Sequence, residues 1–335
     1  MLKSSPNLPS QIRVSLGTAI YLGLLEGKID VNPTTAYLMT YIEGKCTANC
    51  GFCPQARNSK SNADRLSRVT WPCFPFSSVT AALDTVVKNG KIKRVCIQAL
   101  NVPNVFLHIE ALVKEIKKQQ NVLVSVSCQP LNCQNIQLLK NAGVDRIGIA
   151  LDAVTETIFR KIKGDTAGNA YSWSHEISLL KEALSIFGVG NVSTHLIVGL
   201  GETEKEVTDI IQWCVNMDIL PAMFAFTPVC GTVLEKNTQP DILSYRRLQL
   251  ARYLLVYGIT RLEQIHFNTT GKITSFKVNS DVLENIINSG QPFQTSGCPN
   301  CNRPFYNEKP RGPLYNYPRI LSKKEIAEIK KQLVY

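Results

Sequence analysis

Three cysteines fall within eight consecutive residues, Cys46-Thr-Ala-Asn-Cys50-Gly-Phe-Cys53, followed by Pro54. Cys-x3-Cys-x2-Cys in one short loop allows three thiolates to converge on one soft metal centre. A structural zinc site takes four protein ligands and is closed. An iron–sulfur cluster held by three protein thiolates keeps one iron open to another molecule. The spacing points to the cluster, with Cys46, Cys50 and Cys53 as its ligands and Phe52 packed beside it. Zinc with a remote fourth ligand, or three plain buried thiols, are the alternatives. A second pair, Cys298 and Cys301, lies in Ser296-Gly-Cys298-Pro-Asn-Cys301-Asn-Arg303-Pro-Phe-Tyr306-Asn-Glu308. This Cys-x2-Cys knuckle sits in an aperiodic stretch rich in Pro, Gly and Asn, which needs a nucleus to order it. A metal site supplies one. The pair reads as part of an auxiliary iron–sulfur site, with zinc or a free dithiol as alternatives. Cys73, Cys96 and Cys230 are candidates for a further ligand, while Cys133 and Cys214 fall in helical patterns and read as core.

The elements that must position these residues follow from the rest of the chain. Its 335 residues are 44% hydrophobic, enough for one large core with an appendage, and the composition excludes a disordered, collagen-like or coiled-coil chain. No apolar run approaches the ~18 residues of a membrane span, and the N-terminus lacks a secretory pattern. A cytoplasmic location follows, where clustered cysteines bind metal or do chemistry rather than pair. The formal net charge is +11, from 37 Lys and Arg against 26 Asp and Glu, which suits an acidic partner. No basic stripe interleaves with aromatics, which argues against nucleic acid.

Strand-like runs over residues 36–42, 94–100, 121–127, 146–151, 191–198 and 222–227 alternate with helical periodicity over 79–88, 105–118, 134–141, 156–163 with 174–187, 204–216 and 242–257. Repeated strand–helix units predict an α/β fold with a parallel sheet and right-handed crossovers. Six units fall short of a closed eight-unit barrel, so the expectation is a partial (βα)6 barrel. Residues 1–30 read as a capping segment with a helix over 15–26, residues 31–258 as the core, and residues 259–335 as a small irregular C-terminal extension. Within that extension, a strand pair over 260–267 and 272–277, a helix near 281–288 and a last helix over 323–334 are expected.

The three-cysteine spacing, with an aromatic before the last Cys and a strand before the first, resembles the signature of radical S-adenosylmethionine (radical SAM) enzymes. The partial (βα)6 barrel is that family's fold, and Cys53-Pro54-Gln55 continues as in biotin synthase. The resemblance covers about residues 15–258. It implies a [4Fe–4S] cluster on Cys46, Cys50 and Cys53, whose open iron binds S-adenosyl-L-methionine (SAM). One-electron cleavage of SAM would then give methionine and a 5′-deoxyadenosyl radical, with the protein orienting and shielding it. By position, Gln98 in Arg94-Val-Cys96-Ile-Gln98 would help to place the methionine end. Asp152, ending the fourth strand, would meet the ribose hydroxyls, or else cap the next helix. Ile197, Gly199 and Glu202 belong to a fifth-strand motif, His195-Leu-Ile197-Val-Gly199-Leu-Gly-Glu202-Thr203, whose backbone contacts the adenine. The family usually has Gly where His195 stands. His195 therefore points toward substrate or is simply hydrogen-bonded at a strand end. Thr227-Pro-Val-Cys230-Gly231-Thr232 resembles a sixth-strand end that lines the SAM site.

Biotin synthase carries a second cluster inside its barrel, on cysteines of the second, third and fifth strands and an Arg from a later strand. Here Cys96 matches the second-strand position, Cys128 is displaced by about three residues, and Ser193 occupies the fifth. The C-terminal run Cys-Pro-x-Cys-Asn-Arg-Pro-Phe-Tyr-Asn-Glu, followed by Tyr315-Asn-Tyr317-Pro-Arg319, resembles a group of biotin synthase-like proteins that occur as paralogous pairs and act together as a lipoyl synthase. That resemblance implies sulfur insertion into an octanoyl chain carried on a lysine of an acidic lipoyl domain or glycine-cleavage H protein. It also implies a second Fe–S cluster, a paralogous partner protein and a small electron donor such as a ferredoxin. The net charge suits an acidic carrier as a steering term. Biotin synthase, or a tRNA-thiolating or methylthiolating enzyme, is the alternative. A non-catalytic Fe–S or zinc protein is the alternative of another class.

Overall fold

The computed structural model describes residues 7–333. In chain order, β1 (Gln11–Val14) and α1 (Leu16–Tyr21) precede β2 (Thr35–Thr40). A hairpin, β3 (Arg65–Leu66) and β4 (Val69–Thr70), leads to β5 (Cys73–Pro75). Then helices and strands alternate: α2 (Phe76–Lys88), β6 (Arg94–Gln98), α3 (Val105–Gln119), β7 (Leu123–Cys128), α4 (Cys133–Asn141) and β8 (Arg146–Ile149). The series continues with α5 (Glu156–Ile162), α6 (Trp173–Phe187), β9 (Val192–Val198), α7 (Glu204–Asn216), β10 (Leu220–Ala225) and α8 (Ile242–Val256). The chain ends with β11 (His266–Phe267), β12 (Ile273–Ser275), α9 (Ser280–Ser289) and α10 (Lys323–Leu333).

The main sheet runs β10-β9-β8-β7-β6-β2-β1-β5, with the six strands from β10 to β2 parallel and β1 antiparallel to both neighbours. The expected six strand–helix units are therefore present, and successive crossovers pack helices over one face. Alternation along the strands separates two environments. Val95, Ile97, Val124, Val126, Ile147, Ile149, Val192 and Leu196 face the helices in one aliphatic core. Arg94, Cys96, Gln98, Ser125, Arg146, Ser193 and His195 face the concave side. All six parallel strands line one cavity on that side, and five of them, with Ala150 and Asp152 just beyond β8, line another, so the sheet curls into a partial barrel. Such an interior is ordinarily filled by branched aliphatics; here many of its inward positions carry polar or ionisable side chains.

The N-terminal segment differs from the expected cap. Gln11–Val14 adds a strand to the sheet, and the helix spans only Leu16–Tyr21 rather than residues 15–26. Only Ile12 and Val14 of that strand are apolar, too short an alternation to announce a strand. The C-terminal segment is also less separate than expected. Phe293, Tyr315, Tyr317, Leu321, Ile329 and Leu333 join the main core. The buried Arg246 of α8 donates to the Tyr315 carbonyl at 2.6 Å, and the buried Glu308 carboxylate accepts from the Asn316 backbone N–H at 3.0 Å. Residues 296–303 bridge the gap between the first and last parallel strands. Met223 N–H donates to Ser296 Oγ at 2.8 Å on β10, and Arg303 N–H donates to the Tyr37 hydroxyl at 2.8 Å on β2. The predicted strand pair shrinks to β11 and β12, and residue 334 of the last predicted helix lies outside the described residues.

Candidate metal centres and cofactor cavity

The loop after β2 carries Cys46, Cys50 and Cys53, and its backbone is fixed by polar contacts rather than by secondary structure. Lys45 Nζ donates to the carbonyls of Pro54, Ser59 and Ser61 at 2.9, 2.7 and 2.6 Å, drawing the loop around one ammonium. Fully buried Gln55 donates to the Ala63 and Arg65 carbonyls at 2.6 Å each. Gly51 N–H donates to the Ile162 carbonyl at 2.7 Å, and Lys60 N–H to that of Gly231 at 2.7 Å. A side chain at Gly231 would place Cβ 2.4 Å from the Ser61 nitrogen, so this approach requires glycine. The loop is thus stapled to the turns that follow α5 and β10.

All three loop thiols line the upper cavity, at the C-terminal ends of the strands, where parallel α/β barrels place their chemistry. Burial pushes each thiol up, Cys53 to about 12, while N–H groups of Ala48 and Asn101 at 3.4 and 3.2 Å from Cys46 Sγ partly offset this. Among the described residues, no three His, Cys, Asp or Glu donors converge as a single metal ion would require. A polynuclear cluster presents separate iron corners to separate thiolates, and three free cysteines around one cavity fit that group.

The structure brings Gln98, Asp152 and Ile197 to the same cavity as the loop cysteines. Asp152 has φ +63, the left-handed region that a non-glycine residue occupies at a cost. It is not the cap of α5; Thr155 fills that role by accepting the Ile158 N–H. Its carboxylate instead pairs with Lys163 Nζ at 2.7 Å. Burial opposes the Lys163 charge, and Asp152, Glu176 and Cys50 outweigh it, so its pKa stands above the ordinary lysine value. Ile197 N–H donates to the Asp152 carbonyl at 3.2 Å. Gly199 and Glu202 do not line the cavity. Glu202 accepts the backbone N–H groups of Gly199 and Leu200 at 2.5 and 3.0 Å, so it shapes the turn after β9 rather than facing a ligand. Gly199, at φ +108, leaves a Cβ only 2.8 Å from Pro240.

Cys298 and Cys301 line a second, lower cavity, nearer the N-terminal ends of the strands. Cys96 lines it with them, and burial, with Cys298 close by, pushes its thiol to about 11. Tyr37 Oη lies 3.3 Å from Cys301 Sγ. Ser125, paired in register with Cys96, and Ser193 complete the walls where further cysteines were considered. Cys128 lies at the upper cavity instead. Of the other candidate ligands, Cys73 sits on the edge strand β5 and Cys230 is exposed, and neither lines a cavity with Cys298. Cys133 is exposed at the start of α4 rather than in the core, whereas Cys214 is buried.

Three side chains join the cavities: Ser127, His195 and Arg303 line both. His195 packs edge-on against Phe224, with ring centroids 5.1 Å apart, and burial with Arg303 and Lys163 nearby lowers its pKa to about 3. It faces the interior as a neutral ring. Arg303 lies between Phe224 and Tyr306, 4.5 and 4.9 Å from their centroids. Arg94, Arg146, Lys163 and Arg303 escaped the sequence reading. The signal for the first two was a basic residue opening a strand, on the same alternating face as Cys96 or Gly148.

Known proteins agree with this geometry. The radical SAM superfamily model matches residues 41–214, just over half of the chain. Biotin synthase of Persephonella marina is 26% identical over 201 residues, 58% of this chain and 55% of that protein. Biotin synthase of Streptococcus agalactiae is 23% identical over 262 residues, 76% of this chain and 75% of that protein. The chain thus spans between about half and three quarters of these relatives' lengths. Among solved structures, methylornithine synthase superposes with a TM-score of 0.51 at 14% identity, covering 72% of this chain and 65% of that one. The FeFe-hydrogenase maturase HydG of Carboxydothermus hydrogenoformans gives 0.50 at 12%, covering 76% and 66%. These likenesses carry the fold. With a three-cysteine loop at the mouth of a six-stranded parallel barrel, and a family model across that region, the chain belongs to the radical SAM superfamily, whose members imply a [4Fe–4S] cluster and SAM.

Proposed function

We propose that this radical SAM enzyme inserts sulfur, as one half of a two-component lipoyl synthase working on a protein-bound octanoyl chain in the cytoplasm. One observation carries the reading: a second set of thiols, Cys96, Cys298 and Cys301, lines a cavity directly beneath the one that holds Cys46, Cys50 and Cys53. When bound, the upper cluster and SAM supply a radical that removes hydrogen from an unactivated carbon. The chain's own part is to hold and enclose. Cys46, Cys50 and Cys53 hold the upper cluster, Gln98, Asp152 and Ile197 line the space for SAM, and Met39, Leu66 and Phe226 make part of its wall apolar. Cys96, Cys298 and Cys301 hold a second cluster as the sulfur source, within reach of the upper cavity through the shared His195 and Arg303 wall.

The +11 charge supports an acidic carrier domain or H protein as partner, alongside a paralogous chain and a ferredoxin-like donor. Biotin synthase is the second reading, favoured by the curated relatives. Ser125 and Ser193 in the lower cavity weigh against it, because thiolates are wanted there. The test is anaerobic reconstitution of wild type and of the Cys46→Ala/Cys50→Ala/Cys53→Ala variant. The proposal expects ~8 Fe and ~4 Fe per chain respectively. It also expects thiolation of an octanoylated carrier only when the paralogue is present. About 4 Fe in wild type and none in the variant would remove the sulfur source. Thiolation of a free biotin precursor instead would favour the second reading.

A further inference from the structure

The lower cavity contains more than thiols. Twelve buried side-chain nitrogen and oxygen atoms among the described residues have no hydrogen-bond partner. Five of them, Thr35 Oγ1, Arg94 Nε and Nη1, Ser125 Oγ and Arg146 Nε, belong to side chains that line this one cavity. Each of the five can donate a proton. Arg94 and Arg146 are 5% and 8% exposed, so solvent does not satisfy them. Arg303 adds a third guanidinium, and no carboxylate lines the cavity. Buried unpaired donors are costly enough that folded proteins rarely keep them without a guest.

The register fixes where these groups stand. Cys96 pairs with Ser125 and Ser125 with Arg146, so thiol, hydroxyl and guanidinium form a row across three adjacent strands. Arg94 lies two residues before Cys96 on the same face of β6. Arg146 is anchored by a hydrogen bond to the Gly190 carbonyl, which leaves its Nε free. A guest must satisfy both halves of this lining. A zinc ion would use the thiols but bring no acceptor atoms of its own for the arginine N–H groups. A phosphate or carboxylate would use the arginines but leave three thiols idle. A thiolate-ligated iron–sulfur cluster is anionic, and its bridging sulfides accept hydrogen bonds.

We propose that Arg94 and Arg146 form the anion-binding floor of this site and donate N–H···S hydrogen bonds to the sulfides of a cluster held by Cys96, Cys298 and Cys301. This rests on the second-cluster reading above. They are positioning residues: they hold the cluster's charge and set its potential, and they do not touch the acyl substrate.

The Cys46→Ala/Cys50→Ala/Cys53→Ala background isolates the lower site, so no measurement depends on turnover. In it, Arg94→Gln and Arg146→Gln are reconstituted anaerobically, and iron, sulfide and the EPR-monitored midpoint potential are measured. Loss of a cation and of N–H···S donors shifts the potential to more negative values and lowers sulfide retention. Arg94→Lys, which keeps the charge, gives a smaller shift. If both Gln variants keep the parent potential and sulfide content, the arginines are structural and the proposal fails while the second cluster stands. If the background itself takes up no iron, the cluster reading fails and takes this proposal with it. Circular dichroism checks folding; should Arg94→Gln unfold, Arg146→Gln and Arg94→Lys decide.

Discussion

The two cavities of this barrel are built in opposite ways. The upper one takes its three loop thiols from eight consecutive residues, and that loop is stapled by Lys45, Gln55 and the Gly231 approach. The lower one draws one thiol from β6 and two from a segment about 200 residues later, and its two unpaired arginines come from the first positions of separate strands. A site made from one loop survives sequence change elsewhere, provided that the loop is pinned. A site made from strand layers exists only when register, alternation and the closing segment are all correct. The difference teaches where each site is vulnerable, and the experiments that break one should spare the other.

The largest effect belongs to the loop. The Cys46→Ala/Cys50→Ala/Cys53→Ala variant is expected to release 5′-deoxyadenosine no faster than a protein-free control under dithionite, while any iron in the lower site stays. The reverse experiment, Cys298→Ala/Cys301→Ala, should leave 5′-deoxyadenosine formation in place but remove ~4 Fe and all sulfur insertion. Equal loss of SAM cleavage in both variants would mean that the cavities are one site.

Smaller effects sharpen the contrast through the upper cavity's supports. Asp152→Asn removes the partner of a lysine that is 1% exposed, and breaking such a pair costs about 3–5 kcal/mol, readable as a lower midpoint in chemical denaturation. Glu176 is next. Burial, only partly offset by Lys163, raises its pKa from the ordinary 4.5 to about 7, and both its oxygens lack partners. The folded state therefore keeps a proton that the unfolded state has already lost. The stability contributed by the protonated group is complete below about pH 4.5 and is lost as pH rises through about 7. Glu176→Gln should match wild type at pH 4.5 and exceed it at pH 8 by up to about 3 kcal/mol. A constant difference across that range would assign the change to packing. Gly199→Ala forces a Cβ into Pro240 at a positive φ and is expected to cost about 1–3 kcal/mol, with weakened SAM binding and unchanged iron at the lower site.

Much of this was legible because it was local. The three-cysteine loop needs only its own spacing, and the strands and helices from residue 94 to 256 repeat with an apolar period long enough to read. β1 was missed because two apolar residues make no pattern, and its pairing with β2 and β5 is set by tertiary contact. Cys298 and Cys301 were visible as a pair, but which of Cys73, Cys96 and Cys230 stands beside them was not. Cys96 joins them only because β6 faces inward at that residue and the 296–303 segment bridges the gap between β10 and β2. Arg94 and Arg146 open strands whose next residues are aliphatic, so each looks like a solvated strand end until the sheet curls. Glu202 illustrates the opposite failure: its position in a motif suggested ligand contact, whereas its carboxylate closes its own turn.

The segment that spans from β10 to β2 has a consequence in polymer terms. It meets β10 through Ser296 and β2 through Arg303, and between these anchors it carries Cys298 and Cys301. A metal tie from there to Cys96 would close a loop of about 200 residues, which in the chain-entropy picture removes about 5 kcal/mol of freedom from the unfolded ensemble. The seam of the barrel would then be a clasp. If the sulfur of that tie were spent, as the proposed function requires, the seam would lose this restraint, and the wall that loosened would be the one through which a replacement could enter.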